Sequence, residues 1–145
     1  MLFTYTILSC FTSFCKLPLD SLFLSALLPL SLGFSRKYQY VNLLKTWKEA
    51  QSYCRENFAD MATIETVEDG ASVRKILLQS TYTWTWIGLY LDLRGWKWSD
   101  QSKASFRMWM SGEPNGGAGE PCAVGSVNGW NDVRCIDKRP FICSG

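Results

Sequence analysis

The chain has 145 residues, of which 47% are hydrophobic, and this length and composition fit one globular domain with its own core. Its 15 Lys and Arg against 13 Asp and Glu give a formal net charge of +2, which is too small to favour a phosphate backbone, so nucleic acid is not an expected partner. The chain contains no histidine, which excludes the usual zinc sites, Ser-His-Asp triads and imidazole acid–base chemistry.

The N-terminal region differs in composition from the rest of the chain. Residues 1–35 contain only two charged residues, Lys16 and Asp20. Their apolar stretches are shorter than the roughly 20 residues of a membrane-spanning helix, and prolines interrupt them. The Leu-rich stretch 22–32 is typical of the apolar part of a signal peptide. We therefore expect residues 1–35 to be a signal peptide or apolar leader, residues 36–145 to form the domain, and the protein to be secreted to the extracellular space without a membrane anchor.

Removal of the leader would take away Cys10 and Cys15 and leave an even number of cysteines, namely Cys54, Cys122, Cys135 and Cys143. Even counts in a secreted domain indicate disulfides, so two are expected. Four cysteines allow three pairings, and the sequence alone does not choose among them. The alternative, four reduced cysteines in a cytosolic core, is less favoured, although the sequence has no Cys-x-x-Cys motif for metal binding or thiol exchange in either case.

The first predicted helix begins after Thr46, because Thr46 and Glu49 have the spacing of a capping box. An apolar face follows at steps of three and four residues and contains Trp47, Ala50, Tyr53 and Cys54. The residues predicted to point outward are Lys48, Gln51, Arg55 and Glu56. A short buried strand is predicted at 61–64, and a second helix begins near Thr66 with acidic residues in its first turn.

Beyond Ser80 the pattern changes to an alternation typical of strands, which predicts a strand over 82–89. Further short strands are predicted at 96–99, 122–125 and 140–143. Large aromatic rings bury much apolar area, so we assign the following tryptophans to the core rather than to ligand stacking: Trp86, Trp96, Trp98 and Trp130.

The segment 111–121 contains four glycines and two prolines in eleven residues, which predicts a long irregular surface loop. This loop and the segment after it offer five oxygen-donor side chains, Glu113, Asn115, Glu120, Asn131 and Asp132. Calcium accepts about 6–8 such oxygens in irregular geometry, so these residues predict a calcium site. A cis bond before Pro114 would bring its neighbours towards one ion. The alternative is an ordinary Gly/Pro turn with solvated acids.

From about Tyr38 to Cys143 the chain resembles the C-type lectin domain family. The matches run in order along the sequence: Trp47 with Ala50, Tyr53 and Cys54; Ala62-Thr63-Ile64; Trp86-Ile87-Gly88-Leu89; Trp96-Lys97-Trp98-Ser99-Asp100; Phe106; Trp109; Gly112-Glu113-Pro114-Asn115; Glu120 just before Cys122; Gly129-Trp130-Asn131-Asp132; Cys135; and Pro140-Phe141-Ile142-Cys143.

The resemblance implies an α+β double-loop fold with two helices flanking antiparallel sheets, and two nested disulfides, Cys54–Cys143 around Cys122–Cys135. It also implies a cis bond before Pro114 and a principal calcium site. Carried over position by position, the calcium and sugar ligands are Glu113, Asn115, Glu120, Asn131 and Asp132.

In similar lectins, an acid before and an amide after the proline go with mannose-type sugars rather than galactose. The expected ligands are therefore mannose, N-acetylglucosamine or fucose on glycoproteins or microbial surfaces, in innate immune recognition. One calcium ion is expected rather than two, because Gly116 and Pro121 stand where members with an auxiliary site often carry acids. The short Gly-rich segment 116–119 offers no side chain to a second sugar ring, so single-site affinity should be weak.

Two other classes of function remain to be compared with a lectin. A domain of this family that binds a protein or ice without sugar recognition is the main alternative, because one fold serves many functions. An enzyme is not expected, because carboxylates neutralised by calcium, such as Glu120 and Asp132, cannot donate a proton to a glycosidic bond. The sequence shows neither a heptad nor a Gly-X-Y repeat, so the oligomeric state is not predicted.

Overall fold

The computed structural model describes residues 35–145. The predictions of a leader and of the fate of Cys10 and Cys15 concern residues outside this range. Over the described range, neither helix has the length and apolar character needed to cross a membrane. The described elements are, in chain order, β1 (Tyr38–Lys45), α1 (Trp47–Asn57), β2 (Asp60–Met61), α2 (Val67–Leu77), β3 (Thr85–Asp92), β4 (Gly95–Trp98), a 3-10 turn (Gly117–Gly119), β5 (Cys122–Ser126), β6 (Gly129–Val133) and β7 (Arg139–Ser144).

The strands join into one seven-stranded sheet, with the order β1-β7-β3-β5-β6, in which β2 also pairs with β7 and β4 with β3. Most pairs are antiparallel, but β3 and β7 run parallel where Trp86 meets Phe141. The sheet is therefore mixed. The two helices, the sheet and two disulfides confirm the predicted α+β class.

Both helices begin where the sequence predicted, because each has a complete capping box. In α1 the Thr46 side chain accepts from the Glu49 amide while Glu49 accepts from the Thr46 amide. In α2 Thr66 and Asp69 form the same reciprocal pair. Each box supplies acceptors for backbone donors that have no partner inside the helix.

One prediction for α1 is wrong: Gln51 does not point outward but is buried. Its side-chain amide donates to the hydroxyl of Ser99, at 2.8 Å, just beyond β4. The same hydroxyl donates to Asp60, and Arg55 binds both Asp60 and the Ser99 carbonyl. The polar face of α1 is therefore covered at this point by the end of β4, and the buried polar groups satisfy one another.

Two of the predicted strands have different bounds in the structure. The predicted strand 61–64 is shorter and lies at Asp60–Met61, and the predicted strand 82–89 begins later, at Thr85. The alternating residues before Thr85 form no strand, although their pattern suits one. β1 and β6 were not predicted from the sequence.

Among residues 35–145 the disulfides are Cys54–Cys143 and Cys122–Cys135, which confirms the nested pairing that the resemblance implies. They span 89 and 13 residues. The first joins α1 to β7, and the second joins β5 to the segment after β6. Cross-links of this kind restrict the unfolded chain, so both ends of the domain and the strand pair beside the loop are held in place.

Successive residues of β3 contribute to two apolar clusters, since neighbouring side chains of a strand point to opposite faces of a sheet. Trp86 packs in one cluster with Phe141, and Ile87 and Leu89 pack in the other. Of the four tryptophans assigned to the core, Trp86, Trp98 and Trp130 are buried, whereas Trp96 is only half-buried.

The close packing of β3 against the 60–64 segment generates a first prediction, at Gly88. A Cβ on this residue would lie 2.9 Å from the Ala62 carbonyl oxygen and 3.2 Å from the Met61 Cβ, so a backbone segment would have to move. We expect Gly88→Ala to lower the free energy of unfolding by about 1–3 kcal/mol, as overpacking does, measured by urea denaturation. Gly119→Ala is the control, because a Cβ there meets no atom within 4 Å. Equal stability of Gly88→Ala and wild type would contradict this packing.

Candidate functional site

The candidate site is built on β6, which carries two of the five predicted ligands. Asn131 and Asp132 lie in the middle of this strand and pair with Val124 and Ala123 of β5. Asp132 is buried, with 1% of its surface exposed, and Asn131 is half-buried. The hydrogen-bonded strand pair holds both residues at the edge of the sheet, next to the long loop.

Asp132 fastens the loop to the sheet. One carboxylate oxygen accepts from the Asn115 backbone amide at 3.1 Å, and the other accepts from the Gly116 backbone amide at 2.8 Å. Hydrogen bonds to an ionised acceptor are stronger than neutral ones. A single buried side chain therefore positions the residues that follow Pro114.

Glu113 and Asn115 lie on either side of Pro114, and the Glu113–Pro114 peptide bond is cis. The Asn115 side-chain amide donates to Glu113 Oε1 at 3.0 Å. The Glu113 backbone amide donates to the Met110 carbonyl at 3.0 Å, which closes the turn before the proline. The amide nitrogen of Asn115 is thus turned towards Glu113, and its amide oxygen is left for another partner.

Glu120 folds back over the start of the loop. A Cβ added to Gly116 would lie 2.5 Å from both Cβ and Cγ of Glu120, so glycine is needed for this close approach. The intervening segment forms one 3-10 turn, in which the Glu120 amide donates to the Gly117 carbonyl at 3.2 Å. Glu120 is therefore brought to the same turn of the loop that Asp132 binds from the sheet side.

The acidic side chains influence one another. The pKa of Glu113 is raised above its usual value, first by loss of hydration, then by the adjacent Asp132 carboxylate, and further by the charge of Glu120. In the described part of the chain, no Lys or Arg forms a salt bridge with any of these three acids. The negative charge gathered here is thus not neutralised by a cationic side chain among residues 35–145.

Two oxygens of the group, Glu113 Oε2 and Asn131 Oδ1, are buried and have no hydrogen-bond partner among residues 35–145. Buried acceptors normally have a partner, because an unpaired polar atom loses its hydration without compensation. A divalent cation with a preference for oxygen would supply that partner, and carboxylate and amide oxygens are the donors that calcium prefers. The residues present therefore fit a calcium ion.

The carboxylates do not make such a site on their own. Among residues 35–145, no group of three or more His, Cys, Asp or Glu side chains is arranged to hold a metal ion. The amide oxygens of Asn115 and Asn131 would have to complete the ligand set, as the sequence-based assignment already requires.

Sequence reasoning missed two features of this site. The first is the use of both Asp132 oxygens by the loop backbone at Asn115 and Gly116. The second is the need for glycine at 116 beneath Glu120. The Gly-rich composition of the loop was a signal for close backbone approach, but it does not say which side chain approaches.

The role of Asp132 as an anchor generates a second prediction. Hydrogen bonds to charged groups contribute about 1.5–3 kcal/mol each, so Asp132→Ala should accelerate hydrogen exchange at the Asn115 and Gly116 amides about tenfold or more. Exchange would be followed by NMR. Asp137→Ala is the matched control, because Asp137 pairs with Arg134 and Arg139 outside the loop. Unchanged exchange in Asp132→Ala would show that the loop is held by other contacts.

The family model and the curated relatives that match this chain agree on one family. Residues 43–145 match the family model described as the Lectin C-type domain. A lectin from Pleurodeles waltl is 32% identical over 121 residues, which cover 76% of this chain and 70% of that protein. C-type lectin domain family 4 member M from Pan troglodytes is 34% identical over 117 residues, 73% of this chain. The match spans only 26% of the length of that protein.

Three solved structures show the same fold. Human lithostathine is 28% identical, with a TM-score of 0.70 over 76% of this chain and 91% of its own. SPL-1 in complex with GlcNAc is 27% identical, with a TM-score of 0.68 over 74% of this chain and 85% of its own. Herring type II antifreeze protein is 26% identical, with a TM-score of 0.67 over 76% of this chain and 90% of its own.

Proposed function

Because the chain belongs to the C-type lectin domain family, we propose that it is a calcium-dependent lectin for mannose-type sugars: mannose, N-acetylglucosamine or fucose. The observation that carries the proposal is the pair of buried, unpartnered oxygens on Glu113 and Asn131, beside a loop that Asp132 holds against β6. Sugar binding is also supported by the solved complex of the similar SPL-1 with GlcNAc.

The five proposed calcium-binding side chains also have roles in binding the sugar or holding the loop. Calcium held by the five oxygen-donor side chains would supply a Lewis acid that accepts the oxygens of two neighbouring sugar hydroxyls. The carboxylates of Glu113 and Glu120 accept hydrogen bonds from those hydroxyls, and the side-chain amides of Asn115 and Asn131 donate to them. Asp132 holds the loop in place because its carboxylate accepts hydrogen bonds from the backbone amides of Asn115 and Gly116.

The preference for mannose-type sugars rests on the order of donor and acceptor groups. Glu113 precedes the proline and offers only acceptors when ionised, whereas Asn115 follows it and offers an amide donor. Neighbouring hydroxyls of mannose, N-acetylglucosamine and fucose can be presented in an orientation that suits this order. The same order accompanies these sugars in similar lectins.

The proposed site offers almost no side chain beyond the calcium ligands, so one site should bind weakly. The 3-10 turn Gly117–Gly119 is exposed and offers only the methyl group of Ala118 beside the sugar-binding loop. Weak single sites become effective when several act on one surface. We therefore propose that the ligands are glycans displayed in many copies on glycoproteins or microbial surfaces. We also propose that the protein is secreted, binds these glycans in the extracellular space, and acts in innate immune recognition.

No catalytic activity is proposed. A glycosidase needs two carboxylates that face the scissile bond, one of them able to donate a proton. The two carboxylates that would have to serve, Glu120 and Asp132, are both proposed calcium ligands. A carboxylate that binds calcium stays ionised and cannot donate a proton.

A domain that binds a protein or ice without sugar recognition is the second candidate. Its support is the similarity to herring type II antifreeze protein, at 26% identity over 90% of that chain. Binding to a protein partner or to ice that persists in a chelator, without retention on mannose, would favour this candidate over the lectin.

The lectin proposal predicts retention on immobilised mannose in calcium and release by a chelator. A double variant, Glu113→Gln with Asn115→Asp, exchanges the acceptor and donor positions around Pro114 and should shift preference towards galactose. Relative affinities for methyl mannoside and methyl galactoside would be measured by titration calorimetry. Asp137→Asn serves as the control, because it removes a carboxylate outside the loop. Retention that does not respond to the chelator would refute the calcium-dependent mechanism.

The contact between Gly116 and Glu120 gives a further prediction. Gly116 has φ −89° and ψ −10°, which alanine can adopt, so Gly116→Ala acts through the clash with Glu120 alone. The displaced carboxylate should lower calcium and mannose affinity by about tenfold, or about 1.4 kcal/mol, measured by calorimetry. Gly119→Ala in the same loop should bind as wild type does, because it meets no side chain. If Gly116→Ala and Gly119→Ala bind calcium and mannose equally well, Glu120 is not one of the ligands.

A further inference from the structure

A cavity of about 360 Å³ lies where β4 continues into the segment 99–107. Its wall combines aromatic surface with basic and hydroxyl- or amide-bearing side chains, and it includes Trp96, Lys97, Gln101, Ser102, Lys103 and Arg107. We propose that this cavity is an anion-binding site and takes a sulfate ester of a saccharide. None of its lining residues belongs to the proposed calcium site, so this inference does not depend on the lectin proposal.

The charged side chains that line the cavity are all basic. Lys97, Lys103 and Arg107 line it, and no Asp or Glu does. Lys97 is neutralised from outside the cavity by Asp92, at 2.7 Å. The nearby Asp100 is bound by Arg36, at 3.2 Å, and by the Ser102 backbone amide, at 2.9 Å. Lys103 and Arg107 therefore face the cavity without a carboxylate partner among residues 35–145.

The guanidinium of Arg107 is fixed in position. It donates to the carbonyls of Ala104, Phe106 and Trp96 at 2.9, 2.7 and 3.2 Å, and it lies over the Trp98 ring at 5.5 Å. These three bonds use the two terminal nitrogens and leave Nε without an acceptor in the described part of the chain. A guanidinium that is already ordered loses little further freedom when it binds an oxyanion.

Partial burial costs this cation part of its hydration, and the pKa of Arg107 is lowered by that desolvation alone. Backbone carbonyls supply hydrogen bonds to it but no full negative charge. An oxyanion in the cavity would supply that charge, and the free Nε–H and Lys103 would both donate to its oxygens. The chemistry of the wall therefore selects a compact group with several acceptor oxygens.

The remaining wall suits a sugar ring that carries such a group. Trp96 is half-buried, with its ring 4.8 Å from the ring of Trp109 in an edge-on contact, and it lines the cavity. An aromatic face packs against the apolar side of a sugar, while the side chains of Gln101 and Ser102 can bond its hydroxyls. A sulfated saccharide meets these groups together, whereas free sulfate meets only the cations.

The test uses a sulfated heparin octasaccharide and the same octasaccharide without sulfates, in a calcium-free buffer with chelator. Wild type should bind the sulfated form and shift the indole N–H signal of Trp96 in NMR spectra. Lys103→Glu should lower the affinity about tenfold or more. Lys75→Glu on α2 is the matched control, because it makes the same charge change at an exposed residue outside the cavity, and it should change the affinity by less than about twofold.

Additional variants separate the possible outcomes. Arg107→Lys keeps the charge but loses the planar fork, so it should bind the sulfated octasaccharide more weakly than wild type at a temperature well below the unfolding midpoints of both proteins, and equal binding would count against the site. Asp132→Ala should bind the sulfated octasaccharide as wild type does, because Asp132 does not line the cavity. Equal losses in Lys103→Glu and Lys75→Glu, equal binding of both octasaccharides, or an unmoved Trp96 signal would each overturn the proposal. Inhibition by inorganic phosphate or sulfate only at concentrations far above that of the octasaccharide supports recognition of the sugar together with its sulfate, and equal potency of the free ions would overturn it.

Discussion

The candidate site depends on the interaction of one buried carboxylate with two backbone amides. Asp132 lies on a central position of β6 and accepts from the amides of Asn115 and Gly116. Without this interaction a Gly-rich loop has little to offset the entropy of ordering its backbone. With it, Glu113 is brought beside Asp132 and Glu120 packs over Gly116. The oxygen cluster is thus a consequence of how the loop is tied to the sheet.

The position of β6 is itself set by packing and covalent links. The Trp130 amide donates to the Met108 carbonyl at 2.7 Å, and the Met110 amide donates to the Trp130 carbonyl at 2.9 Å, so the chain entering the loop runs beside β6. The Trp130 ring packs edge-on against Trp98 and Trp109. The Cys122–Cys135 disulfide closes the β5–β6 pair. These contacts hold β6, which carries two of the proposed calcium ligands. The same cluster of tryptophans includes Trp98, which lines the basic cavity.

Local signals in the sequence predicted the elements that depend on neighbouring residues. Both capping boxes are complete because Thr and an acid three residues later need only the first helical turn to meet. Strand ends were predicted less well, because pairing ends where a partner strand ends. The alternating residues before Thr85 form no strand for this reason, and Gln51 is buried because β4 returns over α1. The local sequence pattern indicates neither the end of the strand at Thr85 nor the burial of Gln51.

The sequence by itself determined the chemistry available to this protein: oxygen ligands without histidine, an even set of cysteines in the domain, and a family resemblance that specified the fold and the five candidate ligands. Only the tertiary structure decided that Asp132 holds the loop backbone, that Glu120 requires glycine at 116, and that Arg107 faces a cavity without a carboxylate. The physical reason is that these distances and burials exist only in the folded chain. Asp132 lies 17 and 16 residues from the amides that it binds, and the approach of Glu120 to Gly116, although local in sequence, depends on the path that the loop takes once it is held against the sheet.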